Sequence, residues 1–313
     1  MWLMLLVVYS AVRGADRART VLLSYAGAAT LSALWAFVQF ARKWMAAEAG
    51  GLDFYDAYVA SRITGFMSHW MTFSAEMAIA LAIIVAYLLF ERFSAGGLLT
   101  GAVVGIGLLL GYTRSMWGAA AASIIYLVWR WRPRFLFALP ILAGAAFLAM
   151  PAPVALRVTS IWKPGHLDSN DHRVWLRATG YRILAAHPLV GVGPEHIKRE
   201  KTFLANVAPG APKPWPVEWY YGHLHNIYLH EAAERGLPAL AALLWLLGKV
   251  LWDFARKAEA SQGARRFALN AAMAAIIGVM VGGWWERNLG DSEVLASFLV
   301  MVGCGYSALD NNA

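Results

Sequence analysis

Apolar stretches of about 20 residues recur along this chain, and a stretch of that length crosses the hydrocarbon core of a bilayer as a helix. The stretches are continuous, whereas the strands of an outer-membrane barrel alternate apolar and polar residues, so a barrel is excluded. Only 15% of the residues are charged and 59% are hydrophobic. A soluble domain runs at about 25% charged and about 45–50% apolar, so this chain has too little charge to cover a water-facing surface. A soluble globule, a disordered chain and a nucleic-acid-binding module are excluded with it. What remains is an all-α polytopic membrane protein with about nine transmembrane helices.

The nine runs fall near residues 1–12, 21–40, 77–90, 97–112, 116–129, 135–150, 224–252, 267–285 and 294–309. The first is short for a span and lacks the charged leader and small-residue cleavage site of a signal peptide, so it reads as a short or truncated transmembrane helix. Residues 41–75 are mixed and aromatic, which suggests an interfacial segment. The Gly-rich 96–111 stretch has small-xxx-small spacing, a pattern that permits close helix packing. Residues 151–222 are the one long polar region. The expected organisation is therefore N-terminal transmembrane helices over 1–152, a large loop with short helices over 153–222 and three C-terminal transmembrane helices over 223–313, in one integrated membrane domain.

Charge sets the orientation. The net charge of +8 could point to a polyanionic partner, but short cytoplasmic loops of membrane proteins are basic in any case. Arg13, Arg17, Arg19, Arg92, Arg130, Arg132, Arg134, Lys249, Arg256, Lys257, Arg265 and Arg266 fall in one class of alternate loops. Only Arg42, Lys43, Arg62, Arg114 and Arg287 fall in the other. The first class is then cytoplasmic, and the 151–222 loop lies outside, periplasmic in a Gram-negative cell. The single cysteine, Cys304, cannot form an internal disulfide and lies in an apolar run as a buried thiol.

Charges beside apolar spans are costly and mark function by default. Arg114 sits where one span meets the outer face, in Gly111-Tyr112-Thr113-Arg114-Ser115-Met116-Trp117-Gly118. It either snorkels to lipid phosphates or holds a diphosphate with its planar donor fork. His223, His225, Asn226, His230, Glu234 and Gly236 crowd the opening of the span after the loop. A zinc motif beginning at His230-Glu231 fails because Glu234 stands at its closing position. On one helix His225 and His230 would point about 140° apart, away from a common ion. A histidine here is instead suited to taking a proton from a sugar hydroxyl near neutral pH, or to plain interfacial hydrogen bonding. Glu234 and His230, at i and i+4, can satisfy each other. Residues 173–186 can form an amphipathic helix presenting Arg173, Arg177 and Arg182, and the turn that follows carries Gly191 and Gly193. That G-x-G has no nucleotide-binding strand and helix around it and reads as a structural turn.

Together these segments resemble the O-antigen ligase and O-antigen polymerase family of bacterial membrane glycosyltransferases. The helix-opening pattern is carried by His225-Asn226, Leu229, Glu234 and Gly236, with Ala239 at the last small position; the loop pattern runs from Arg173 to Gly193; the membrane-edge pattern is Thr113 to Gly118. The resemblance covers roughly residues 75–309. It implies a C-type glycosyltransferase-like fold with no metal, no cofactor and no nucleotide sugar. It also implies an undecaprenyl-diphosphate-linked glycan donor, a lipid A-core or glycan acceptor, and a setting among the lipids of the bacterial inner membrane, with the active face periplasmic. The family usually has about three more helices at the N-terminus, so this chain looks shortened there. On this resemblance Arg114 and Arg173 stabilise the diphosphate leaving group and His225 accepts the acceptor's proton. Arg177, Arg182, His223 and Asn226 assist in binding, and Glu234, Gly236, Gly191 and Gly193 are structural. Ligase and polymerase share these motifs. A transporter would be expected to carry broken helices or paired midmembrane charges, and a non-catalytic assembly partner is the remaining alternative.

Overall fold

The computed structural model describes residues 3–162, 170–216 and 222–310. Among them every regular element is helical, as a chain in lipid requires when each backbone N–H and C=O must be paired within its own segment. Over its described residues, each of the nine apolar runs falls mainly on a helix. These are α1 (Leu3–Ala11), α2 (Ala15–Ala49), α4 (Trp70–Phe90), α5 (Ala95–Leu110), α6 (Arg114–Trp131), α7 (Ala138–Leu148), α11 (Ile227–Ala258), α12 (Gly263–Gly282) and α13 (Ser292–Leu309). Between them lie the short α3 (Phe54–Ala60), and α8 (Ala152–Thr159), α9 (Asn170–Ala186) and α10 (Glu200–Ala205) in the long polar segment.

Five of these helices, α2, α4, α11, α12 and α13, are long and apolar enough to cross a membrane. This is fewer than the nine expected. The nine residues of α1 extend only about 14 Å at about 1.5 Å each, and α5 and α7 are also short. α6 carries Arg114 and Arg130 at its ends, which lowers its hydropathy. The second span also starts earlier than its apolar run: Arg17 and Arg19 lie on the first turns of α2, and Arg19 pairs with Glu91 just past α4. Long cationic stems allow this, because they carry their charge to the helix end.

α4 and α12 are the most enclosed helices and form the centre, with α12 packed on α4, α6, α13, α2 and α11. Small residues make this possible. A side chain at Gly278 would meet the Ser123 hydroxyl at 2.6 Å, and Ser123 itself donates to the carbonyl of Ala274 on the facing helix at 2.8 Å. Only part of the Gly-rich stretch is used in this way: Gly107 packs on Ala33 and Gly111 on Ser74, while Gly96 and Gly105 face open space.

α11 is divided. Gly236 has non-helical angles (φ 83°, ψ 170°) and Pro238 follows it. A continuous helix would pair Leu237 N–H with Ala233 C=O and would leave Glu234 C=O facing a proline that has no N–H. Here the turn after α9 supplies the missing partners. Val192 N–H donates to Ala233 C=O (3.0 Å), Gly193 N–H to Glu234 C=O (2.9 Å), and Leu237 N–H to Pro188 C=O (2.8 Å). Gly191, Gly193 and Gly236 all have positive φ, so glycines that are far apart in sequence form one joint between the polar segment and the membrane helix.

Candidate functional site

The approach to α11 is built by Asn226. Its side-chain oxygen accepts from Leu229 N–H at 2.8 Å, capping the helix, and its amide nitrogen donates to Trp284 C=O at 2.9 Å. Ile227 N–H also donates to Gly283 C=O at 2.8 Å. The start of α11 is thus clamped to the segment that follows α12, and both ends of the Asn226 amide are engaged in this clamp. His225 precedes the helix, so the helical-wheel angle between His225 and His230 does not apply. It stands in the left-handed region (φ 48°), a conformation that costs a non-glycine residue energy and recurs at functional sites.

This clamp delivers His225 to Glu286. The Nδ1 of His225 lies 2.8 Å from Glu286 Oε2, and Arg173 on α9 donates from Nη2 to Glu286 Oε1 at 2.5 Å. His225 and Glu286 are both buried. A carboxylate on Nδ1 fixes the ring tautomer, placing the proton on Nδ1 and the lone pair on Nε2. Burial works to raise the Glu286 pKa, but the Arg173 charge and the His225 hydrogen bond outweigh it and hold the carboxyl below its ordinary value.

His225, Arg173 and Glu286 line a cavity of about 260 Å³. The same lining carries Arg62, Arg114 and Arg157, so four guanidiniums and one carboxylate stand among the described residues lining it. Arg114 opens α6 and donates from Nη1 to both the carbonyl and the hydroxyl of Ser160 at 2.8 Å. Arg157 on α8 donates to Tyr112 C=O at 3.1 Å, and Tyr112, like His225, has a positive φ. Arg62 lies over the Trp70 ring at 5.3 Å. Burial and the neighbouring Arg157 and Arg114 push its pKa down to about 10. Such a cluster favours an anion.

The other expected residues lie around this centre. Arg177 donates to Trp284 C=O at 3.0 Å, outside the cavity lining, and burial lowers its pKa. Arg182 is exposed and also outside that lining. The His223 ring centroid is 4.2 Å from that of His225, and His223 lines a neighbouring cavity. Glu234 and His230 are buried 3.4 Å apart, the pair expected from their spacing. Among the described residues no group of three or more His, Cys, Asp or Glu is placed to hold a metal ion.

Glu286, Arg62, Arg157 and His172 are additional to the residues expected from sequence. His172, buried beside His225 and Arg173, has its pKa pushed down to about 4, first by burial and then by those charges. His223 is lowered to about 3, by burial and by His225. The unfolded chain takes up these protons below about pH 6.5, whereas the folded protein does not until pH 3–4. Stability is therefore present above pH 6.5 and is lost as the pH falls toward 4. In detergent, the melting temperature is expected to fall over that window, and His172→Gln together with His223→Gln is expected to flatten the slope. An unchanged slope in the double variant would remove these histidines as its cause.

A model of the O-antigen ligase family matches residues 97–244. No curated protein matches the chain. The matched stretch includes Arg114, Arg157, Arg173 and His225 and both sides of the glycine joint, while Glu286 lies beyond it. Over residues 97–244 the chain is therefore similar to the O-antigen ligase family.

Proposed function

We propose that this protein transfers a glycan from undecaprenyl diphosphate to a hydroxyl of an acceptor sugar, as an O-antigen ligase or polymerase does. The transfer takes place at the periplasmic face of the inner membrane. The carrying observation is a cavity that has four arginines around it and the His225–Glu286 pair in its wall. The distribution of Lys and Arg among the short loops supports the orientation, with residues 153–222 outside.

The chemistry follows from the charges. The acceptor hydroxyl loses its proton to His225 Nε2 as its oxygen bonds to the anomeric carbon of the donor. The bond between that carbon and the diphosphate oxygen breaks, and its electron pair stays on the diphosphate. Arg114 and Arg173, with Arg62 and Arg157 beside them, stabilise that growing negative charge. The guanidiniums are held by protein contacts before substrate arrives, so little reorganisation is needed. The bound proton then leaves His225 for solvent. Lipid A-core is the acceptor for a ligase and a growing glycan for a polymerase.

Purified protein in nanodiscs, supplied with an undecaprenyl-diphosphate-linked glycan and an acceptor glycan, tests this. His225→Ala is expected to slow transfer by at least about 100-fold, and Arg114→Ala by at least about 10-fold, the scale of one charge-assisted contact. If both variants transfer at the parental rate, the assignment is wrong. The glycan profile of a deletion strain separates the two acceptors: bare core indicates a ligase, single repeat units a polymerase.

A further inference from the structure

The arginine-lined cavity has a neighbour of about 500 Å³, and Trp70, Met71 and Glu286 line both. Such a volume is within the range of about 300–1,000 Å³ usual for small-molecule pockets. The two differ in charge. Four guanidiniums accompany Glu286 in the first, whereas in the second Arg287 stands against two carboxylates, Glu286 and Asp291. Arg287 is further offset by Glu195, 3.5 Å away on the turn after α9.

The remaining polar groups of the second cavity are neutral. Burial lowers the pKa of both His69 and His223; each neutral ring accepts a backbone N–H on Nδ1, His69 from Met71 at 3.2 Å and His223 from His225 at 3.4 Å, and so carries its proton on Nε2 as a donor. The His69 ring lies on Trp70 with centroids 3.8 Å apart, giving the cavity an aromatic wall against which the C–H face of a sugar ring can pack. Asp291 is fixed in place, accepting from the Thr72 hydroxyl at 2.6 Å and capping α13 through Glu293 and Val294 N–H. An aromatic face, neutral imidazoles and an anchored carboxylate complement an uncharged polyol, whereas a phosphate here would face two like charges.

Resting on the glycosyl-transfer reading above, we infer that this second cavity is the acceptor subsite. It takes an uncharged terminal sugar and presents its hydroxyl to the His225–Glu286 pair at the shared wall. The diphosphate and the acceptor thus occupy chambers of opposite electrostatic character on either side of Trp70 and Glu286.

The test uses the full chain in nanodiscs with an undecaprenyl-diphosphate-linked tetrasaccharide as donor. The acceptors are two octyl glycosides, one ending in a neutral hexose and the other in its 6-phosphate. The neutral acceptor is expected to be used at least tenfold better in kcat/KM. Asp291→Asn retains a good helix cap but removes the charge, and is expected to reduce that preference at least threefold. His69→Ala is expected to raise the acceptor KM at least tenfold and leave the donor KM within twofold. Equal use of the two acceptors, or a change confined to the donor KM in His69→Ala, overturns the inference while leaving glycosyl transfer intact. No transfer to either acceptor overturns both.

Discussion

Glu286→Ala is expected to reduce glycan transfer by about 10²–10⁴-fold, the range carried by a positioned acid–base group, with most of the loss in kcat. Glu286 has two connected roles. Its Oε2 holds His225 Nδ1 at 2.8 Å, and its Oε1 holds Arg173 at 2.5 Å. Removing the carboxylate frees the imidazole to change tautomer and takes from Arg173 its partner in the buried pair. The second effect also destabilises the fold, because breaking a buried pair from one side leaves an uncompensated charge, at a cost of about 3–5 kcal/mol. Glu286→Gln separates the two effects. It keeps the volume and one acceptor oxygen, so the melting temperature should fall less than in Glu286→Ala, while kcat should still drop at least about 10-fold. Transfer by Glu286→Gln at the parental rate would remove the carboxylate charge from the reaction.

Why Glu286 is absent from the sequence-level expectation is instructive. It follows an apolar run and immediately precedes Arg287, so it reads as an ordinary interfacial ion pair. Its actual partners are 61 and 113 residues away, a relation that periodicity does not carry. Arg157 is hidden in the same way: it lies among Val154, Ala155, Leu156 and Val158, and only the fold brings it to the Tyr112 carbonyl, 45 residues away. Arg114 was singled out in the sequence as a charge beside an apolar span, and Arg173 and His225 through the motifs they belong to; the fold brings all three to the lining of one cavity. The helices were legible because continuous apolar runs in lipid leave little choice besides helix. Their ends were not: α2 extends through Arg17 and Arg19 at one end and to Ala49 at the other, because amphipathic side chains let a helix continue past its apolar run.

A second large loss of stability is expected from Gly236→Ala and Gly191→Ala. Gly191 and Gly236 were each expected to be structural, and the reason is mutual. At Gly236 (φ +83°) a Cβ would lie 2.0 Å from the Leu189 carbonyl oxygen, and at Gly191 (φ +64°) it would lie 2.3 Å from the Glu234 carbonyl carbon. Both clashes are with backbone, which cannot rotate away as a side chain can. The left-handed conformation itself costs an L-residue about 1–2 kcal/mol. Separating the strands of the joint would also expose the three hydrogen bonds at Ala233, Glu234 and Leu237, each worth about 1 kcal/mol. A total above about 3 kcal/mol corresponds to a drop of at least about 6 °C in melting temperature. Gly105→Ala and Gly118→Ala are the matched controls, since an added Cβ there meets nothing within 4 Å, and they should melt within about 2 °C of the parent. Because the joint fixes the turn after α9, and α9 carries Arg173, the Gly236 and Gly191 variants should also lose transfer. A Gly236→Ala protein that melts with the parent would show that α11 tolerates closure of the break and that the joint does not hold the polar segment in place.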